Sequence, residues 1–292
     1  MGSEARTLSV VIVSLDEGEN LRRTVENLWP TLPANHELII VDDGSTDGSS
    51  DFLAGDHRAK LLRTERLGIA QARNLGASES QGEVIVFSDA HVNVCKGWWE
   101  PLLRALEKPQ AGAAGPAIAD MEHPEFKGYG YCFQGPDLEM KWLPQKADTA
   151  YPVPQLGGCF IGMRRDVFKS IGGFDSGMIG WGLNDSELCM RLWGENYDLW
   201  VLPQVEVAHL FRERFPYQVE WPPVIHNALR LSLLHFEGER WASVIGHYRE
   251  HSAFAAALAL VVEHDVCARR REVASRRVRD AESLFRRYEL DW

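Results

Sequence analysis

The run EVIVFSDAH at residues 83–91 holds four consecutive apolar residues, Val84, Ile85, Val86 and Phe87, followed by a polar tip. A short β-branched and aromatic run predicts a strand covered on both faces, as in parallel sheets. Asp89 and His91 lie at its end. Residues two apart on a strand point the same way, so this carboxylate and this imidazole can close on one ion. Open α/β sheets bind ligands at the carboxyl edge of their strands, and ligand-type side chains there are placed to fix a metal. A buried strand ending in a polar turn has the same sequence, so the flanking chain must decide.

Upstream, LSVVIVS at residues 8–14 is a second continuous apolar run. A polar loop follows (Asp16, Glu17, Gly18, Glu19, Asn20), then a helix over residues 21–29 that Pro30 stops. Residues 38–41 form another strand, ending in the turn-forming, carboxylate-rich run DDGSTDG. A short strand at 60–63 and a helix over 68–80 complete the approach to residue 83. Strands alternating with helices imply βαβ units, hence an α/β fold with a mostly parallel central sheet flanked by helices.

Downstream, a helix is expected over 98–107 and a strand over 113–118. Residues 120–154 are rich in Pro, Gly and aromatics (Tyr129, Tyr131, Phe133, Trp142, Tyr151) with little periodicity, which in a compact protein marks a functional segment. Strand character returns at 157–161. A helix is expected over 185–193, and short strands over 200–202 and 205–208, the second delivering His209. After Pro222 and Pro223 the pattern is helical to the end. Arginine-rich residues 269–287 carry Val273, Ala274, Val278, Ala281 and Phe285 at helical spacing. That fits a solvated helix packed on the domain or on a second subunit, or a basic face lying on anionic lipid.

The 292 residues carry a net charge of −11 and an ordinary globular composition, enough for one large domain or a domain with an appendage. Nucleic-acid binders present basic faces, so nucleic acid is excluded as the main partner. Any phosphate must be met locally, by a metal or by particular arginines. Five scattered cysteines (Cys95, Cys132, Cys159, Cys189, Cys267) without a Cys-x-x-Cys pair suit reduced thiols better than a disulfide frame or a zinc site. No signal peptide is evident, and Met1-Gly2-Ser3 is followed by Arg6 where a myristoylation signal has Ser or Thr. The longest apolar stretch, residues 253–262, is too short to span a bilayer. The expectation is a soluble, cytoplasmic protein, with peripheral membrane contact or a homo-oligomer formed through the C-terminal helices as further options.

The motifs, taken in order, carry a resemblance. SVVIVS, VDDGSTD and GIAQARNLGASESQGEVIVFSDAH, within residues 8–91, resemble the nucleotide-binding half of the GT-A glycosyltransferases, most closely family 2. GGCFIGMRRDVFKSIGGFD, GWGLNDSELCMRLW and VAHLFR, within residues 155–212, resemble the second half of the polypeptide N-acetylgalactosaminyltransferases and the β-1,4-galactosyltransferases. Each motif is weak alone, and the ordered set is strong. The chain after Trp221 is not covered. The resemblance implies a GT-A (Rossmann-like) catalytic domain over residues 1–220, with a nucleotide-binding half at 8–119 and an acceptor- and metal-completing half at 120–220. A helical C-terminal extension follows at 221–292.

The same resemblance implies metal-dependent transfer of a hexose or N-acetylhexosamine from a UDP-sugar to a hydroxyl or thiol acceptor (glycan, peptide or small molecule). Ser14, Glu17 and Asp43 match positions that meet uracil and ribose. An Asp-rich turn capping a helix accounts equally for Asp42 or Asp47. Arg73 matches the family arginine whose fork neutralises diphosphate, although a surface ion pair reads the same. Asp89 and His91 stand where metal-using relatives carry Asp-x-Asp or Asp-x-His, and His209 matches their distant histidine. This mixed set, completed by diphosphate oxygens and water, suits Mn²⁺, with Mg²⁺ as the alternative, better than Ca²⁺. Arg212 matches a diphosphate contact, and residues 213–219 a mobile lid. Gly158 lets backbone approach the sugar or marks a bulge. Trp181 stacks on a sugar face or belongs to the core.

Asp185 bears on the mechanism. In the galactosyltransferases Trp-Gly-Gly-Glu-Asp supplies a base, and Trp181-Gly182-Leu183-Asn184-Asp185 places Asp185 on it, implying inversion. In the retaining N-acetylgalactosaminyltransferases that position is usually an amide. Asn184 departs from the family Glu, and Asn184-x-x-Glu187 also fits a capping box. Two other classes stay open: a nucleotidyltransferase of related fold, for which residues 15–19 are a poor glycine-rich loop, and a catalytically dead sugar-nucleotide-binding protein.

Overall fold

The computed structural model describes residues 8–212 and 216–292. The chain begins β1 (Leu8–Ser14), α1 (Glu19–Leu28), β2 (His36–Asp42), β3 (Lys60–Arg63), α2 (Ile69–Ser78), β4 (Val84–Asp89), β5 (Val92–Val94), α3 (Trp99–Leu106) and β6 (Ala111–Asp120). It continues through β7 (Lys127–Gly128), β8 (Tyr131–Phe133), β9 (Met140–Trp142), β10 (Tyr151–Val153), β11 (Phe160–Arg164), α4 (Arg165–Ser170), α5 (Asn184–Gly194) and β12 (Asp198–His209). Five helices follow: α6 (Trp221–His235), α7 (Gly238–Tyr248), α8 (Phe254–Glu263), α9 (Val266–Arg276) and α10 (Ala281–Arg287).

The central sheet has the order β10-β12-β6-β11-β4-β1-β2-β3. Strands β3, β2, β1 and β4 pair in parallel, as do β6 and β12, while β11 opposes both of its neighbours and β10 opposes β12. The expected sheet flanked by helices is present: β3, β2, β1, β4, β6 and β12 all run the same way, and β11 and β10 run against them. Its apolar runs serve two cores because alternate side chains leave opposite faces. Leu8, Val10, Ile12, Val84 and Val86 pack with Leu21, Val25 and Leu28 of α1 and Leu102 and Leu106 of α3. Val11, Ile85 and Phe87 pack on the other face with Ala70 and Ala72 of α2, Phe168 of α4 and Leu188 and Leu192 of α5.

Residues 120–154 hold the short strands β7 to β10, with β8 and β9 forming a separate hairpin. The two strands expected over 200–208 are one, β12, whose register shifts between Leu202 and Glu206, around Pro203. The single basic helix expected over 269–287 is two, and several of its arginines are engaged with carboxylates: Arg276 with Glu195 at 2.7 Å, Arg279 with Asp198 at 2.9 Å and Arg287 with Asp198 at 3.3 Å. All five cysteines are free thiols. Among the described residues no helix is long and apolar enough to cross a membrane. The Met1 to Arg6 reading lies outside the described residues, as do residues 213–215 of the segment read as a lid.

Candidate functional site

Parallel pairing delivers the carboxyl ends of β1, β2, β4, β6 and β12 to one edge. In register there, Asp89 stands beside Val13 of β1, and His209 beside Asp120 of β6. The expectation that strand alternation aligns Asp89 with His91 is corrected. Strand β4 ends at Asp89, the chain bends through Ala90 and His91, and β5 folds back antiparallel on β12 with Val92 opposite His209. The Leu210 N–H then donates to the His91 carbonyl at 3.1 Å. This pairing puts the His91 and His209 rings side by side, with centroids 4.9 Å apart. One ligand-type atom from each of Asp89, His91 and His209 lies within 4.8 Å of the others.

The trio fits a divalent cation. His209 keeps only 12% of its side chain exposed, yet neither ring nitrogen has a hydrogen-bond partner. Its Nε2 sits 3.4 Å from Asp89 Oδ2 without hydrogen-bond geometry. Leaving a buried polar group unpaired costs roughly 1–3 kcal/mol, and a metal bond removes that cost. Asp89 offers the matching charge. Burial alone would raise its carboxyl, but His209, the Arg73 guanidinium and His91 outweigh burial and hold it well below the usual carboxylate range. Arg73 Nη2 donates to Asp89 Oδ1 at 2.9 Å and to the Gly158 carbonyl at 2.8 Å.

Glu17 closes the other side. His91 Nδ1 lies 3.2 Å from its Oε1, and Arg212 bonds both of its oxygens, at 3.3 Å to Oε1 and closely to Oε2. Burial would raise the Glu17 carboxyl, and His91 and Arg212 together bring it below its ordinary value. A carboxylate on one imidazole nitrogen fixes the tautomer of the other, a usual companion of metal-ligating histidine. Glu17 thus sits against the metal and diphosphate candidates, whereas the sequence placed it on the base or ribose. Tyr217, in the described part of the segment read as a lid, is partly buried near the same charges. Burial, Asp89 and Glu17 push its hydroxyl up to about 12.

Asp43 accepts from Thr64 Oγ1 at 2.6 Å and from the Leu67 and Gly68 N–H groups at 2.7 and 2.8 Å. About three of its four acceptor positions are therefore used inside the protein. They pin the turn that starts α2 and so deliver Arg73. Beside it, Ser14 accepts the Asp43 N–H on its carbonyl at 2.8 Å, and its own buried hydroxyl has no partner. The turn reading holds for Asp42 and Asp47, which accept from backbone N–H groups of Ser45, Gly18 and Ser49 at 2.8–2.9 Å.

At the start of α5 the capping-box reading is overturned. No side chain caps this helix, whose N-cap is Leu183 in the left-handed conformation (φ 60°). Asn184 Nδ2 reaches back to the Gly180 and Gly182 carbonyls at 3.1 and 3.2 Å. Glu187 is fully buried, bonded to Arg191 at 2.7 and 3.0 Å and 3.2 Å from His235 Nε2. Asp185 Oδ2 accepts the Gly158 N–H at 2.8 Å. A Cβ on Gly158 would lie 2.7 Å from the Asp185 Cβ, so the need for glycine there comes from Asp185. The N–H of Gly158 thus holds Asp185 and its carbonyl holds Arg73, which links the base candidate to Asp89. Nearby, the buried Tyr131 hydroxyl pairs with Ser186 Oγ at 2.9 Å. Burial and the charge of Asp185 push that phenol well above its ordinary value. Trp181 is 41% exposed, which removes the core reading.

Residues 9–172 match the family described as Glycosyl transferase family 2, and residues 140–214 match the N-terminal domain of galactosyltransferase. Polypeptide N-acetylgalactosaminyltransferase 11 of Xenopus tropicalis is 32% identical over 250 residues, 77% of this chain and 42% of that protein. Polypeptide N-acetylgalactosaminyltransferase 3 of Taeniopygia guttata is 32% identical over 238 residues, 72% of this chain and 39% of the relative. The chain spans about two fifths of the length of these curated relatives, as those shares show. Among solved structures, GalNAc-T7 with UDP, GalNAc and Mn²⁺ superposes with a TM-score of 0.72 at 22% identity, over 94% of this chain and 57% of that one. S. aureus TarS 1–349 in complex with UDP-GlcNAc gives 0.60 at 14% identity, over 97% and 91%. The structural likeness is one of fold.

Proposed function

Because this chain belongs to glycosyl transferase family 2 and has the GT-A fold, we propose that it moves an N-acetylhexosamine or hexose from a UDP-sugar to a hydroxyl or thiol acceptor. The observation that carries the reading is the meeting of Asp89, His91 and His209, with both His209 nitrogens unpartnered. Support comes from the N-acetylgalactosaminyltransferases among the relatives and from similar folds that hold UDP with Mn²⁺ or UDP-GlcNAc.

Asp89, His91 and His209 would hold a divalent cation, Mn²⁺ before Mg²⁺. When bound, it supplies Lewis acidity toward the departing nucleoside diphosphate. Ser14 and Asp43 lie at the nucleotide end of the edge, where the unpartnered Ser14 hydroxyl is free to bond a ligand. Arg212 exchanges Glu17 for diphosphate oxygens, a pairing its planar fork suits. Arg73 orients Asp89. Asp185, with one oxygen held by Gly158, keeps the other for the proton of the attacking acceptor, which makes the transfer inverting. A retaining reading is favoured by the 32% identity to N-acetylgalactosaminyltransferases, and product anomer by NMR separates the two: an α-linked product from an α-linked donor removes the base role of Asp185. The test of the function itself is hydrolysis of UDP-GalNAc with and without Mn²⁺, on the wild type and on Asp89→Ala. The reading expects Mn²⁺-dependent turnover lost in the variant, and equal turnover in both defeats it.

A further inference from the structure

Helix α6 lies outside both matched stretches, 9–172 and 140–214. Its polar residues are nevertheless buried against the segment that leads into Asp185. Asn227 is 0% exposed, although an asparagine on an appended helix would ordinarily face water. Its Oδ1 accepts the Ile179 N–H at 2.9 Å. Its Nδ2 donates to the carbonyls of Ile179 at 2.9 Å, Gly182 at 2.9 Å and Trp181 at 3.3 Å. His226 Nδ1 lies 2.9 Å from the same Oδ1, and burial pushes that imidazole down to about 4, so it stays neutral and donates there. The amide orientation is therefore fixed from both ends.

The turn is only partly held by its own chain: Asn184 reaches the Gly180 and Gly182 carbonyls, while the Ile179 N–H and the Ile179 and Trp181 carbonyls are met by Asn227. Gly180, Gly182 and Leu183 all have positive φ, at 56°, 106° and 60°. For Leu183 this is a strained conformation that persists only where surroundings over-determine it. With such dihedrals the inward carbonyls have no helix or ladder partner, and a buried carbonyl must find one. Two more contacts from α6 bracket the turn. Arg230 pairs with Asp175 at 2.7 and 3.0 Å, passing where a Cβ on Gly177 would lie 2.1 Å from its Nη2. His235 reaches Glu187 at 3.2 Å.

We infer that α6 is the template for the turn at residues 179–183, and that Asn227 is the positioning residue that presents Trp181 and Asp185 to the sugar. The inference rests on the transferase reading of those two residues. It makes the helical extension part of the site's scaffold. The action is indirect, since Asn227 bonds only backbone of the turn.

The test uses the full chain as Asn227→Ala and as the milder Asn227→Ser, with two readouts. In residue-resolved hydrogen exchange, the Ile179 amide is slow in the wild type and at least tenfold faster in the variants, while amides of β4 and α2 are unchanged. In hydrolysis of UDP-GalNAc with Mn²⁺, kcat per titrated UDP site falls at least tenfold, with the Kd for UDP within twofold. A merely structural role would lower the number of UDP-competent sites and leave kcat per site alone. Unchanged kcat per site, or an Ile179 amide as fast in the wild type as in an open loop, overturns the inference. If the alanine variant does not fold, the serine variant and the wild-type exchange rate decide. A wild type that neither binds UDP nor hydrolyses the donor sinks the transferase reading, and the exchange arm still judges the template.

Discussion

Two clusters in this protein each combine a carboxylate, an arginine and histidine, to opposite ends. Under α6, Glu187, Arg191 and His235 are all at most 5% exposed, and the carboxylate is bonded by both partners. At the sheet edge, Asp89, Arg73, His91 and His209 lie as close together, but Asp89 is 28% exposed on its side chain and both His209 nitrogens go unpartnered. A closed, satisfied cluster spends its charges on the fold. An open, under-satisfied one keeps them for something that arrives. Composition does not distinguish them, and hydrogen-bond accounting does.

Changes at each cluster should therefore separate activity from stability. The largest expected effect is His209→Ala, which lowers donor turnover by at least about 10³-fold, roughly 4 kcal/mol of barrier. Thermal unfolding should show Tm within about 3 °C of wild type, because the ring removed makes no hydrogen bond and only a 3.4 Å polar contact with the Asp89 carboxylate. A large Tm loss with turnover kept would erase the contrast.

Next is Arg191→Met, the opposite case. Removing one partner strands buried Glu187 and costs about 3–5 kcal/mol, lowering Tm by roughly 10 °C. Urea midpoints would check it, and a loss under about 1 kcal/mol would put this cluster on the wrong side of the comparison.

A pH series sharpens the same point at smaller scale. Burial pushes His235 below its ordinary 6.5, against the pull of Glu187. Burial would raise Glu187 above its ordinary 4.5, but Arg191 first and then His235 hold it far lower. In both cases the folded chain binds fewer protons than the unfolded one as pH falls. Stability is then complete above pH 6.5, starts to decline as His235 of the unfolded chain protonates, and declines faster below 4.5 as Glu187 adds its loss. Each proton contributes a slope of up to about 1.4 kcal/mol per pH unit. The substitution His235→Gln should flatten the first limb, and an unchanged limb would remove His235 from the account. Smallest is the exposed Lys127–Glu206 pair, where Lys127→Ala should move stability by no more than about 0.5 kcal/mol.

Much of the fold was legible because apolar runs on central strands report burial directly. The 8–14 run is β1 and the apolar part of the 83–91 run lies in β4, the two paired in register. The meeting of Asp89 with a distant histidine was legible only through motif order. The means of that meeting was not, since β5 is three residues long and its pairing with β12 has no local signature. Asn184 and Glu187 misled because three-residue spacing at a helix start serves a capping box and a buried ion pair alike. Asn227 was invisible for a related reason. Its partners are backbone carbonyls of a turn far back in the chain, and backbone carries no sequence signal.

The central claim is that one cation is held jointly by Asp89, His91 and His209. Titrating Mn²⁺ into protein and UDP, with free Mn²⁺ read by electron paramagnetic resonance, tests it most directly. The expected result is one bound Mn²⁺ per wild-type chain, with that site lost in both Asp89→Ala and His209→Ala. Wild-type binding in either variant would contradict it.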